Sequence, residues 1–217
     1  DNPLNVGSLG YFGSRAAMRT VKNSDLVIAI GTRLGPFSVT KQDNIEYWDD
    51  NKPLIQIDSD RSKLGLSCSP NLSIHADAGL AMKQLYITMK NENQKNGLDI
   101  AEHENKIWKD ELLELTNKTT LKEDRKMAPR KALKKIGDFL YSLEHPVLTT
   151  DIGNVCSQMN SYVKFKHPRS YITPGLFGSC GYSIGAAMGA KLAAPDREVF
   201  ALVGDGSVAM QGWTEIL

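Results

Sequence analysis

The sequence predicts a parallel α/β protein in two successive units, and three observations predict it. Strand-like stretches recur at residues 26–30, 54–57, 147–150 and 199–203, and the five apolar residues of the last read as a strand covered on both faces in a parallel sheet. Segments of helical spacing lie between them, which is what parallel crossovers require. A charged stretch at residues 90–126 interrupts the alternation. The division expected is residues 1–92, a charged connector at 93–128 and residues 129–217. Both outer parts are expected to be three-layer α/β/α units, the second of them truncated.

The elements follow in order. Gly7, Gly10 and Gly13 open the chain with G-x-x-G-x-x-G spacing and no strand before it, unlike the G-x-G-x-x-G of dinucleotide folds. A helix is predicted from Ser14 to about Asn23, then strands at 26–30 and 54–57, a third at 73–76 and a helix at 78–89. Several loop residues have two readings. Arg33 is a phosphate clamp or a surface ion-pair residue. Asp58 and Asp60 are ribose ligands or strand terminators. His75 is read as structural. The connector is read as solvated, with a polar helix at 102–116 carrying Ile107, Trp108, Leu112, Leu113 and Leu115 on one side. Pro129 suits the first position of the next helix, whose apolar face is Leu133, Ile136, Phe139, Leu140 and Leu143. A strand at 147–150 follows.

Bulk composition excludes several classes of function. The chain sets 26 Lys and Arg against 25 Asp and Glu, for a net charge of +1, which gives no electrostatic attraction to nucleic acid or anionic membrane. No apolar run reaches membrane-span length and no signal peptide is visible. Cys68, Cys156 and Cys180 are odd in number and far apart, so neither a disulfide framework nor a cysteine zinc motif is indicated, and a reducing cytoplasm fits. The chain begins at Asp1 without Met and ends at Leu217 inside a helical pattern. It is expected to be a fragment of something longer.

Two strand ends carry the chemistry. The run at 199–203, read as buried on both faces, breaks on Gly204-Asp205-Gly206-Ser207 before a helix expected from about Met210 to the chain's end. An acid between glycines at the carboxyl end of a parallel strand stands where open α/β sheets bind ligands. Its carboxylate suits Mg²⁺, and the glycines admit phosphate oxygens to backbone N–H groups. Asp151-Ile152-Gly153-Asn154 repeats the pattern at the end of the 147–150 strand. Between them, Gly175, Gly178 and Gly181 punctuate a loop that enters a helix at 183–194 rich in small residues, including Gly185 and Gly189, which is read as core.

Together these residues resemble a known family. The stretch from Pro168 through Gly175, Gly178-Ser179-Cys180-Gly181-Tyr182 and Gly204-Asp205-Gly206-Ser207 is similar to the thiamine-diphosphate enzymes of the acetolactate synthase superfamily. Residues 24–33 and 55–60 resemble the middle, Rossmann-like domain of those enzymes. Within the superfamily the likeness is to the sulfoacetaldehyde acetyltransferases, on residues 10–18, 33–37, 151–154, 160–162 and 180–182. The resemblance implies thiamine diphosphate and Mg²⁺ as cofactors. Asp205 would bind the metal; Gly204, Gly206, Ser207, Gly153 and Asn154 would hold the diphosphate; and Gly178, Ser179 and Cys180 would line the thiazolium–pyrimidine region. Cys180 departs from the larger apolar residue common at that position. Asn154-Val155 departs from the Gln-His of acetolactate synthases. The implied reaction converts sulfoacetaldehyde and phosphate to acetyl phosphate and sulfite, in the breakdown of taurine-type sulfonates. The alternatives are an acetolactate synthase-type condensation of 2-oxo acids and a non-catalytic FAD or nucleotide module using the strand ends at Gly31 and Asp58. The resemblance places the catalytic Glu in an amino-terminal domain and further metal ligands beyond Leu217. It also implies sites shared between subunits of a homodimer or homotetramer. No catalytic residue is therefore assigned here, and the 217-residue chain alone is expected to be inactive. Arg169, the cation nearest the glycine-rich loop in sequence, is left out of the site.

Overall fold

The structure is a computed structural model describing residues 2–11, 13–90, 98–117, 127–175 and 177–212. The expected connector residues 91–97 and 118–126, and the expected helical end at 213–217, lie outside the described residues. Two parallel three-stranded sheets carry the chain, one in unit 1 (Asp1–Glu111) and one in unit 2 (Leu112–Leu217).

Unit 1 begins with α1 (Arg15–Asn23), capped where Ser14 Oγ accepts from the Ala17 amide at 3.0 Å and buried along Ala16, Ala17 and Met18. Lys52 Nζ closes its other end by donating to the carbonyls of Lys22 and Ser24, a cation placed where the helix dipole favours it. Strands β1 (Val27–Ile30), β2 (Leu54–Asp58) and β3 (Leu72–His75) pair in sequence order. The short α2 (Pro36–Val39) lies between β1 and β2, and α3 (Ala78–Met89) follows β3. Gln56, buried in the middle strand, ties the two loops above it. Its Nε2 donates to the carbonyls of Thr32 and Lys63, and its Oε1 accepts from the Gly65 amide. Ala29, Leu34 and Leu54 form the local core. The β1 run was read as a buried strand, yet Ile28 is 40% exposed. β1 is an edge strand of its sheet, and of its residues only Ile28 is exposed.

The polar helix is longer than its sequence pattern and is not simply solvated. α4 runs over Leu98–Asn117. Within unit 1, Glu104 and Asn105 are buried. Glu104 pairs with Arg19, whose guanidinium also reaches Glu111 at 3.1 Å, and Asn105 Nδ2 donates to the carbonyls of Pro3 and Asn5. Polar residues took the inward positions because each found a partner there, while Leu113 is exposed. From Leu112 the helix belongs to unit 2, where Thr116 hydrogen-bonds Tyr162.

Unit 2 continues with α5 (Pro129–Ser142), β4 (Val147–Thr150), α6 (Asn154–Met159), β5 (Tyr171–Ile172), α7 (Tyr182–Ala193), β6 (Val199–Leu202) and the short α8 (Asp205–Ser207). β4 is buried at every position and stands between β5 and β6. Leu133, Leu140, Leu148 and Met159 make the core, with Ile136, Tyr171 and Phe200 packed on it. Two sequence readings are corrected here. β6 is an edge strand with Ala201 exposed, and the small-residue face of α7 is open. A Cβ at Gly185 or Gly189 would meet nothing within 4 Å, and Leu192 is 83% exposed. α7 packs through Ser183 and Ile184 instead. Among the described residues no helix is long and apolar enough to cross a membrane.

Candidate functional site

β4 comes first in its sheet by sequence and lies in the middle in space. The chain therefore runs to β5 on one side and later to β6 on the other. At such a reversal the connections diverge and leave a crevice at the carboxyl ends of the strands. Residues 151–154 follow β4 directly and residues 203–207 follow β6, so the two sequence-predicted strand ends are neighbours. The sheet of unit 1 runs β1-β2-β3 with no reversal among its described strands.

Asp151 is fully buried where β4 ends, and its own amide donates to the Leu202 carbonyl of β6. Its Oδ2 accepts from the Gly181 amide at 3.1 Å and from Ser183 Oγ at 3.4 Å. Thr149 Oγ1 donates to the Ser183 carbonyl at 2.8 Å. The start of α7 is thus fastened to β4 by two side chains of that strand end. Asp151 Oδ1 is also buried and has no hydrogen-bond partner among the described residues. Burying such an oxygen unpaired is costly.

The glycine-rich loop closes against its neighbours. Gly178 and Gly181 have left-handed φ values of 65° and 83°, which other residues adopt only with strain. A Cβ at Gly178 would stand 3.2 Å from the Ile152 side chain, and one at Gly181 only 2.5 Å from Gln211. Three segments therefore meet: the β4 end, the loop before α7 and the residues after β6. Gly153, Gly204 and Gly206 behave oppositely, because a Cβ at any of them would meet nothing within 4 Å. Their backbones border open space.

After β6 the expected loop is already helical. Gly204 has an extended backbone and caps α8, so the turn begins at Asp205, and a π-helical stretch follows over Val208–Gly212. The sequence pattern missed this because Gly206 reads as a helix breaker, although a first turn tolerates it. Amides of a first helical turn have no acceptor within the helix. The Asp205 side chain is exposed and without a partner among the described residues, while Ser207 is buried. Gly153 caps α6, whose first residue is Asn154, exposed like Gly153. Ser179 and Cys180 are half-buried on the loop. Asp151 and Gln211 were not among the predicted site residues. The acid-glycine pattern repeated at both strand ends was the available signal for Asp151, whereas nothing in the sequence marks Gln211. Phe177, 93% exposed beside Gly178, was missed as well.

Residues outside this crevice resolve toward structural roles. Asp58 accepts from the Asp60 amide, and Asp60 accepts from the Ser62 amide and hydroxyl, which lowers its pKa. Both terminate β2. His75 Nε2 lies 3.0 Å from the Ser59 carbonyl. Arg33 lies over Gly35 and has no ion pair among the described residues. Arg169 is exposed and its carbonyl accepts from Arg197, away from the crevice.

Comparison with known proteins supplies the remaining finding. Residues 1–85 match the thiamine pyrophosphate enzyme central domain, and residues 151–217 match the C-terminal TPP binding domain of the same enzymes. Over 96% of its length the chain is 33% identical to a sulfoacetaldehyde acetyltransferase of Castellaniella defragrans. It is 35% identical over 95% of its length to one from Rhodobacter capsulatus. With a probable acetolactate synthase large subunit of Methanocaldococcus jannaschii the identity is 30% over 97%. The chain spans 35–38% of the length of these relatives.

Proposed function

The chain belongs to the thiamine pyrophosphate enzymes, whose central and C-terminal domains it carries in that order, and on that premise we propose that the crevice of unit 2 seats the diphosphate and metal of thiamine pyrophosphate. The observation that carries this is the convergence of three segments at the β4 reversal, leaving the backbones of Gly153, Gly204 and Gly206 open. Asp205 offers an unpartnered hard oxygen of the kind Mg²⁺ selects. The first-turn amides of Gly206 and Ser207, with Gly204, Gly153 and Asn154, hold the diphosphate oxygens. Gly178, Ser179 and Cys180 border the ring portion of the cofactor. Asp151 acts at one remove: by fixing Gly181 and Ser183 it holds the loop in place. When bound, thiamine pyrophosphate supplies the carbon nucleophile that adds to a carbonyl group, and Mg²⁺ neutralises its diphosphate. The residues named here bind and orient.

For the whole protein we propose acetyl transfer from sulfoacetaldehyde to phosphate, giving acetyl phosphate and sulfite. Support comes from relatives bearing that activity in their names at 33–35% identity. The second reading, condensation of 2-oxo acids, rests on the acetolactate synthase likeness at 30%. The protein carrying this chain, loaded with thiamine pyrophosphate and Mg²⁺, is expected to release sulfite from sulfoacetaldehyde and form acetyl phosphate, both only when phosphate is present. Acetolactate from pyruvate, with no sulfite from sulfoacetaldehyde, would replace this reading by the second.

A further inference from the structure

At the opposite end of β4, before the strand begins, Glu144, His145 and His167 bring one donor atom each to within 4.8 Å of one another. The two imidazole rings lie 4.1 Å apart by centroid, tilted by 36°. His167 Nε2 stands 3.7 Å from Glu144 Oε1, beyond hydrogen-bond reach, and it is buried without a partner among the described residues. The backbone under the cluster is fixed. Arg197 Nε donates to the His145 carbonyl at 2.9 Å, one terminal nitrogen donates to the Arg169 carbonyl, and the other to the Pro146 carbonyl and Ser170 Oγ. One guanidinium thereby binds the segment that carries His145 to the segment just after His167. Lys166 works on the far side of the carboxylate: its Nζ is 3.9 Å from Glu144 Oε2 and 3.3 Å from the Leu143 carbonyl. Glu144 Oε1 is left facing the histidine.

We propose that Glu144, His145 and His167 form a binding site for a divalent transition metal of the Zn²⁺ class, separate from the cofactor crevice. Two imidazoles and a carboxylate are a borderline-soft set that suits Zn²⁺, Ni²⁺ or Cu²⁺ and is poorly matched to Mg²⁺ or Ca²⁺. Donors bound tetrahedrally to Zn²⁺ at about 2.0–2.2 Å sit roughly 3.4 Å apart. The 3.7 Å separation of His167 and Glu144 already approaches that spacing, and the wider pairs close by rotation of surface side chains on a fixed backbone. Three protein ligands leave a coordination position open to water. The metal gives the unpartnered His167 Nε2 its partner and links the two segments, so binding adds to the stability of unit 2.

The test uses the 217-residue chain stripped with a chelator and free of thiamine pyrophosphate. Zn²⁺ is titrated by calorimetry, and Co²⁺ is followed by its visible absorption. One metal per chain is expected, with a raised unfolding midpoint. His145→Ala, His167→Ala and Glu144→Gln should each weaken binding by about tenfold or more and abolish the midpoint shift. A Cys68→Ser, Cys156→Ser, Cys180→Ser triple variant should retain binding. Glu144→Gln preserves shape at an exposed position, so its result stands even where a histidine variant fails to fold. Absence of binding in the wild-type chain, retention in Glu144→Gln and both histidine variants, or loss in the cysteine variant would overturn the assignment.

Discussion

Asp151 and Asp205 each follow a strand of the same sheet, but one is sealed into the fold and the other faces out of it. Asp151 holds Gly181 and Ser183, so its replacement disturbs packing as well as the site. The Asp205 side chain is exposed and has no hydrogen bond or ion pair among the described residues, and Asp205→Asn is expected to change stability by less than about 0.5 kcal/mol. The same substitution should abolish Mg²⁺-dependent retention of thiamine pyrophosphate by the protein carrying this chain, measured by calorimetry with and without the metal. Loss of cooperative unfolding instead would mark Asp205 as a turn residue. A different residue-scale argument applies to Tyr171, whose hydroxyl meets Asn160 Oδ1 at 2.9 Å and Thr150 Oγ1 at 3.1 Å. Burial, above all, raises its pKa far above the ordinary phenol value. The folded state keeps the phenol neutral where the unfolded chain ionises it, so this contribution is present below about pH 10 and is lost as pH rises beyond it. Tyr171→Phe should cost about 1 kcal/mol at pH 7 through the lost hydrogen bonds. The gap between the two proteins in urea unfolding should narrow from pH 9 to 11; a constant gap would contradict the linkage.

Element by element, the sequence was legible wherever the signal is local. β4 and the start of α5 stand where their patterns put them, because a short strand-forming stretch and a proline at the first helical position each act within a few residues. Exposure was less legible. The run at 26–30 was read as buried and that at 199–203 as buried on both faces, yet β1 and β6 lie at sheet edges, and strand order is a non-local property that an apolar run does not encode. The glycines of α7 were read as close-packing residues, whereas in unit 2 it is Gly137 of α5, which drew no notice, that stands against backbone. A Cβ there would fall 2.4 Å from the Tyr162 carbonyl oxygen. Gly137→Ala should therefore destabilise the chain by about 1–3 kcal/mol, since backbone cannot step aside as a side chain can. Gly189→Ala should stabilise it by up to about 1 kcal/mol, because helix propensity improves and nothing is struck. Thermal unfolding of both variants checks the pair; a destabilising Gly189→Ala would restore the buried reading of that face.

At the scale of the whole molecule, the candidate site was legible as residues and not as a place. Glycines and acids at two strand ends suggested a shared crevice, but the reason they share it is that β4 lies between β5 and β6, with the buried Asp151 and Thr149 fixing α7 over the end of the strand. Each unit also has its own core, around Ala29, Leu34 and Leu54 in one and Leu133, Leu140, Leu148 and Met159 in the other. Separate cores in units of this size predict that heating the 217-residue chain gives two transitions, not one. Leu54→Ala and Leu148→Ala each empty a fully buried position and should cost about 2–5 kcal/mol, the first lowering only the transition of unit 1 and the second only that of unit 2. Thiamine pyrophosphate with Mg²⁺ binds, on the proposed reading, through residues of unit 2 alone among those described. It should raise the transition that Leu148→Ala lowers and leave the other in place. The rise should be small, because Mg²⁺ demands near-octahedral oxygen coordination and Asp205 supplies one carboxylate. Calorimetric scans of the wild type and both leucine variants, with and without cofactor and metal, separate the outcomes. A cofactor-induced rise in the transition sensitive to Leu54→Ala would move the binding site into the first unit and remove the β4 crevice from the reading.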